Sequence, residues 1–162
     1  MSKKKRRDIP RFDTPIIETH CHLDYLEDSA LAETLEKTAE VGITDIITIA
    51  VSPDNLERVR MLTRAADNIW GTQGIHPHEA ESYSGEVEGE IRQGAADPRI
   101  LAIGEIGLDY YYDHADRGVQ RRVFERQLQL AAELEMPVVI HTREADQDTR
   151  DILSDFSSSL AR

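Results

Sequence analysis

Five short apolar, β-branched runs recur along the chain, and each is followed by a longer segment of helical periodicity. The runs are Ile16–His22, Asp45–Val51, Ile69–His76, Ile100–Ile106 and Pro137–Thr142. They are too short to span a membrane and mostly too apolar for a sheet with one wet face. Such runs read as strands covered on both sides, as in a parallel sheet flanked by helices. Their ends recur every 25 to 36 residues or so, about the length of a βα unit. Strict alternation of this kind predicts a parallel sheet with right-handed crossovers.

The intervening segments carry helix punctuation. Ser29–Val41 places Leu31, Leu35 and Ala39 on one face, with Gly42 to stop it. Ser52 and Pro53 supply an N-cap and a first-turn proline ahead of Leu56, Val59, Arg60 and Leu62. Arg117–Glu135 lines Val123, Phe124, Leu128, Ala131 and Leu134 along one stripe, and Pro137 ends it. Arg143–Phe156 predicts a further amphipathic helix. The acidic, glycine-interrupted stretch Ala80–Ala96 carries the least helical signal.

Two α/β architectures accommodate this alternation, an open doubly wound sheet and a TIM (β/α)8 barrel. A doubly wound nucleotide-binding sheet calls for a glycine-rich turn after its first strand. Here that turn reads His-Cys-His-Leu-Asp-Tyr, which favours the barrel. A barrel takes about 250 residues, whereas the sequence has 162. The expectation is therefore an incomplete barrel of about five βα units over residues 15–162, with roughly three units unaccounted for.

Residues 1–14 contain the run Lys3, Lys4, Lys5, Arg6 and Arg7 and are expected to form a basic, disordered, solubilising tail. No apolar run follows it, as a secretory signal would need. The formal charge is −12 over the whole sequence, leaving −17 once those five residues are set aside. So acidic a body excludes a broad surface holding duplex DNA through its phosphates. It leaves room for a small pocket for one phosphate, particularly where bound cations reverse the local charge. The single cysteine rules out an internal disulfide and predicts a reducing, cytoplasmic setting. No stretch approaches the roughly 20 apolar residues of a membrane helix.

Chemistry gathers at the C-terminal ends of the predicted strands, where barrels build their active sites. Glu18, His20 and His22 alternate onto one strand face while Thr19 and Cys21 face the other way. Two imidazoles at i and i+2 can chelate one ion, although an HxH pair alone is a weak signal. His76 and His141 also end predicted strands, and His78 follows two residues later. Glu105 ends an apolar strand between Gly104 and Gly107, which allow close approach of backbone or ligand. A lone carboxylate there needs a cation or a partner, and Arg143 on the next strand is one candidate partner. Imidazoles combined with a carboxylate suit Zn, Mn, Fe or Co rather than Ca. A carboxylate can bridge two ions, as in two-metal hydrolysis of phosphate esters and amides. Arg143 offers a planar fork for phosphate, and His76 a hydrogen bond to substrate. Cys21 reads as a small buried apolar residue.

Four blocks, "IIETHCHLD", "GIHPHEA", "AIGEIGLDYYYD" and "PVVIHTREA", in this order and at these spacings, closely resemble the TatD family of metal-dependent hydrolases. The resemblance runs from about Ile16 to Leu153. It implies a TIM barrel of amidohydrolase type and a deoxyribonuclease, commonly a 3′–5′ exonuclease acting on single-stranded DNA ends. It further implies two divalent metal ions, Mg, Mn or Zn. By position, His20 and His22 match ligands of one ion, His141 a ligand of the second, and Glu105 the catalytic carboxylate bridging both. The family pattern also expects a histidine after a sixth strand and an aspartate after an eighth, and the 162 residues include neither. The chain is therefore expected to be truncated, short of one ligand and of the general base.

Three functional readings remain open at this level. The first is a divalent-metal phosphodiesterase acting on DNA, in which Arg143 steadies a phosphate. The second is a related metal-dependent hydrolase of a C–N or aminoacyl ester bond, since fold does not fix substrate. The third is an inactive remnant whose open sheet edges would promote self-association.

Overall fold

The computed structural model describes residues 9–160. The basic run Lys3–Arg7 lies outside the described residues. Five parallel strands, β1 (Ile16–Cys21), β2 (Ile43–Thr48), β3 (Ile69–Gln73), β4 (Ile100–Asp109) and β5 (Val138–Arg143), form one sheet in the order β1-β2-β3-β4-β5. Sequential order distinguishes the barrel winding from the doubly wound alternative, whose strand order reverses partway along the sheet. The sheet is thus a curled half of a TIM barrel, with β1 and β5 at its edges among the described residues.

Each strand leads through a connection into a helix: α1 (Asp28–Glu40), α2 (Pro53–Thr63), α3 (Gly85–Ala95), α4 (Arg117–Glu133) and α5 (Asp146–Phe156). Ser52 caps α2 in a reciprocal capping box with Asn55, and Pro53 occupies its first turn, as the sequence predicts. Helix α4 is the main buttress. Phe124, Leu128, Leu130 and Ala131 are fully buried against Ile103, Ile106 and Leu108, and each large side chain so buried contributes about 1.5–3 kcal/mol. No helix among the described residues is long and apolar enough to cross a membrane.

Several boundaries differ from expectation, and three of the differences bear on the site. β3 stops at Gln73, so His76 does not end a strand. It caps a short 3-10 helix, Pro77–Ser82, in front of α3. β4 runs three residues past Ile106 to Asp109. The last predicted helix starts at Asp146, which leaves Arg143 as the final residue of β5, paired in register with Asp109.

Candidate metal centre

The site lies at the C-terminal rim of the sheet, and β4 carries its central group. Reaching that position demands glycine on either side of Glu105. A Cβ on Gly104 would sit 2.6 Å from the Val139 Cβ, and one on Gly107, at φ +142°, would sit 1.9 Å from the His141 carbonyl oxygen. The close approach that these glycines permit is to the β5 backbone, and it brings Glu105 beside His141.

Glu105 is buried, and its two oxygens face opposite ways. Oε2 lies 3.3 Å from His20 Nε2, and Oε1 lies 3.1 Å from His141 Nδ1. Burial pushes its carboxyl up, but His141, His76 and His20 outweigh that and hold it below the ordinary glutamate value. Arg143 is not its partner. The guanidinium lies instead over the rings of Tyr111 and Tyr112, 4.1 and 4.6 Å from their centroids.

Two overlapping groups of donors share Glu105: His20 and His22 on one side, His76 and His141 on the other. Within each group the ligand atoms lie within 4.8 Å of one another. Hydrogen bonding decides which imidazoles suit a cation. His22 Nδ1 is 3.2 Å from the Ile49 carbonyl oxygen. A carbonyl can only accept, so Nδ1 carries the proton and Nε2 keeps a free lone pair. His141 has carboxylates at both nitrogens, with Asp109 Oδ2 3.0 Å from Nε2. The Glu105 hydrogen bond raises its pKa; burial opposes this and Asp109 adds to it. A cation held at Nδ1 would leave Nε2–H donating to Asp109, the pairing that orients metal-bound histidines.

His76 differs. Its Nδ1 accepts the main-chain N–H of His78 at 3.1 Å, and burial, with His141 nearby, pulls its pKa down to about 4. The neutral ring therefore carries its proton on Nε2 and fits a hydrogen-bond donor better than a ligand. His22, Tyr25, His76, His78 and Glu105 line an open cavity of about 270 Å³. Cys21 points away: its Sγ lies against the Ile47 carbonyl, and burial pushes the thiol up to about 11, so it remains a thiol and offers no ligand.

Sequence reasoning missed Asp109, which is fully buried. Its Oδ1 accepts the N–H groups of Tyr111 and Tyr112, and Oδ2 faces both His78 and His141, at 2.9 and 3.0 Å. Burial would raise its carboxyl, but the Tyr112 N–H, His78 and His141 bring it down to about 2. Two glutamines on α4 were missed as well. Gln120 exchanges both hydrogen bonds with the Asp109 backbone, and Gln127 does the same with Ile75, next to His76. They stand seven residues apart on the stripe that carries Phe124, and that polar interruption is the signal available in the sequence. His114, a loop residue by sequence, stacks on Tyr112 and meets His78 edge-on.

The sequence profile described as TatD related DNase matches residues 17–161. A human protein named 3′-5′ RNA nuclease TATDN2 is 36% identical over 160 residues, covering 91% of this chain and 21% of its own. The Bacillus subtilis protein named uncharacterized metal-dependent hydrolase YabD is 30% identical, covering 86% of this chain and 55% of its own. An Erwinia tasmaniensis protein named 3′-5′ ssDNA/RNA exonuclease TatD is 34% identical, covering 79% and 50%. Among solved structures, the TatD homologue YjjV of Escherichia coli superimposes with a TM-score of 0.79 at 30% identity, over 86% of this chain and 55% of that one. The chain thus spans about half the length of these bacterial relatives, and a fifth of the human one. Half a TIM barrel, donors gathered at its C-terminal rim and a family match along nearly the whole sequence lead to one conclusion: the chain belongs to the TatD related DNase family.

Proposed function

We propose that the chain carries the β1–β5 part of a two-cation phosphodiesterase site that shortens single-stranded DNA or RNA from the 3′ end. The observation that carries this reading is Glu105, whose two carboxylate oxygens are divided between His20 and His141. A buried carboxylate shared in this way is what a pair of divalent cations needs as a bridge. His20 and His22 would hold one cation, His141 part of the other, with Mg, Mn or Zn as the candidate ions. When bound, such cations lower the pKa of water and offset charge developing on a phosphate.

The protein's own groups supply orientation and proton control. Asp109 fixes the His141 ring through Nε2, and Gln127 fixes the loop that presents His76. The His76 Nε2–H is a neutral donor suited to a phosphate oxygen. Arg143, at the same rim, offers a guanidinium to the next phosphate along the strand. The names of the relatives support the substrate class and the direction of cleavage.

Two measurements test the proposal. Titration of Mn2+ or Zn2+ into the purified chain should show binding that E105Q abolishes. Once the chain is completed to a full eight-stranded barrel, a 5′-labelled single-stranded oligonucleotide should shorten from its 3′ end in the presence of cation and persist in chelator. Binding indifferent to E105Q, or products arising from internal cuts, would sink the reading. Cleavage of cyclic amides in place of oligonucleotides would assign the site to C–N hydrolysis.

A further inference from the structure

The run Tyr110-Tyr111-Tyr112 divides into two kinds of residue. Tyr110 is partly buried, and its hydroxyl donates to Asp148 at 2.6 Å. Tyr111 and Tyr112 are 53% and 51% exposed, and their hydroxyls make no hydrogen bond among the described residues. The fold therefore uses the first hydroxyl and leaves the other two rings half exposed, with Tyr112 stacked on His114 along part of its surface. The Arg143 guanidinium is packed over both of these rings at 4.1 and 4.6 Å, with no ion pair among the described residues. The patch adjoins the cavity, because the Tyr112 ring meets His78 edge-on at 5.5 Å, and His78 lines it.

We propose that Tyr111, Tyr112 and Arg143 form a stacking platform for the bases of a single-stranded nucleic acid entering the metal centre. This rests on the nucleic-acid reading of that centre and identifies what holds the strand. Flat π-faces and a guanidinium plane accept any base, because every base has a face to stack. Those faces are free only in an unpaired strand. Charge favours the same occupant: a chain carrying −12 overall is poorly suited to holding a strand through phosphates, so base faces must carry much of the affinity. The two rings meet edge to face, with centroids 4.8 Å apart and planes at 86°. The guanidinium packs against both, which holds it at the rim beside the phosphate between two stacked bases.

The test is equilibrium binding in chelator, which removes hydrolysis from the measurement. Fluorescence anisotropy would compare a labelled oligothymidylate with an abasic oligomer of equal length and charge. The wild-type chain should bind the abasic oligomer roughly tenfold or more weakly. The double substitution Y111A/Y112A should weaken thymidylate binding by a similar factor and erase the difference between the two oligomers. Y111F/Y112F should keep both the affinity and the difference. Equal binding of the two oligomers by the wild type overturns the proposal without recourse to any variant. Loss of the difference in the phenylalanine variant, or its retention in the alanine variant, overturns it too, as does a wild type that binds neither oligomer. The two readings fail separately. Base-dependent binding without cleavage by the completed barrel leaves the platform standing and removes the nuclease, whereas cleavage by that barrel with base-independent binding does the reverse.

Discussion

His20 and Glu105 face each other across 3.3 Å, yet the side chain of His20 is 41% exposed and that of Glu105 only 9%. The same contrast runs through the two sides of the site. On the β1 side, His20 is on an edge strand, and His22 is tied by one hydrogen bond to the Ile49 carbonyl. Tyr25, stacked on His22, is 73% exposed. On the β4–β5 side, Glu105, Asp109 and His141 share a continuous run of hydrogen bonds, backed by Gln120 and the buried face of α4. One side is preorganised by protein alone. The other consists of ligands poised at a surface, which a cation would draw against Glu105. Such a division teaches that rigidity here is concentrated on Glu105, the carboxylate both donor groups share, where misplacement would disturb both groups at once.

The largest disruption should come at the group the two sides share. E105Q keeps the shape of the side chain but removes the charge common to both donor groups. Its cation affinity should fall by more than the roughly 10–100-fold that losing an outer partner costs, as titration calorimetry would read. If affinity fell only as far as an outer-partner substitution lowers it, Glu105 would not be a bridge.

Asp109 tests the preorganised side alone. D109N leaves His141 and His78 without a charged acceptor, so cation affinity should fall by roughly 10–100-fold and stability by about 1–3 kcal/mol. The effect has a pH signature in chelator-treated protein. Folding lowers the Asp109 carboxyl from 3.8 to about 2. Its contribution to stability is therefore whole above pH 3.8 and is lost as pH falls towards 2. Denaturant melts across that window should show a decline in the wild type that is smaller in D109N. Parallel curves would remove Asp109 from the account.

How far the sequence discloses this arrangement depends on the kind of signal involved. The five strands follow from apolar runs and spacing, and the choice of barrel winding over a doubly wound sheet from a first turn without glycine, all local properties. His20, His22, Glu105 and His141 follow from residue type at strand ends. Asp109 does not, because glycine and aspartate are depleted from strands. "GLD" therefore reads as a loop, although Gly107 lets β4 continue against the His141 carbonyl. His76 reads as the end of a strand because apolar Ile75 extends the run. The Val51 carbonyl and Gln127, both distant in sequence, hold that loop instead. Arg143 reads as a partner for Glu105 because strand alternation puts the two on one face. Alternation cannot register that the preceding turn delivers Tyr111 and Tyr112 to the same guanidinium.

Gln127 offers a milder way to disturb the buried side. Q127A removes both partners of the Ile75 main chain, a buried N–H and C=O, at a cost of about 1–3 kcal/mol. His76 sits next to that residue, and its hydrogen bonding suits a donor to substrate better than a cation ligand. Cation affinity should accordingly stay within about threefold while stability drops, since the ligand atoms and the partners that orient them are untouched. A fall in affinity matching that of D109N would make His76 a ligand after all.

The smallest expected effect is the sharpest comparison of the two sides. H20A and H141A each delete one imidazole facing Glu105, and each should weaken cation binding. Their effects on the fold should part. His20 is exposed on an edge strand, and its contact with Glu105 is open to water, so H20A should change unfolding free energy by no more than about 0.5 kcal/mol. His141 links two buried carboxylates, and H141A leaves both short of a donor, at a cost of about 1–3 kcal/mol. Urea melts of the two variants in chelator, beside the wild type, measure the gap directly. Equal losses would mean that the β1 side is as firmly built as the β4–β5 side, and that cation binding does not have to organise it.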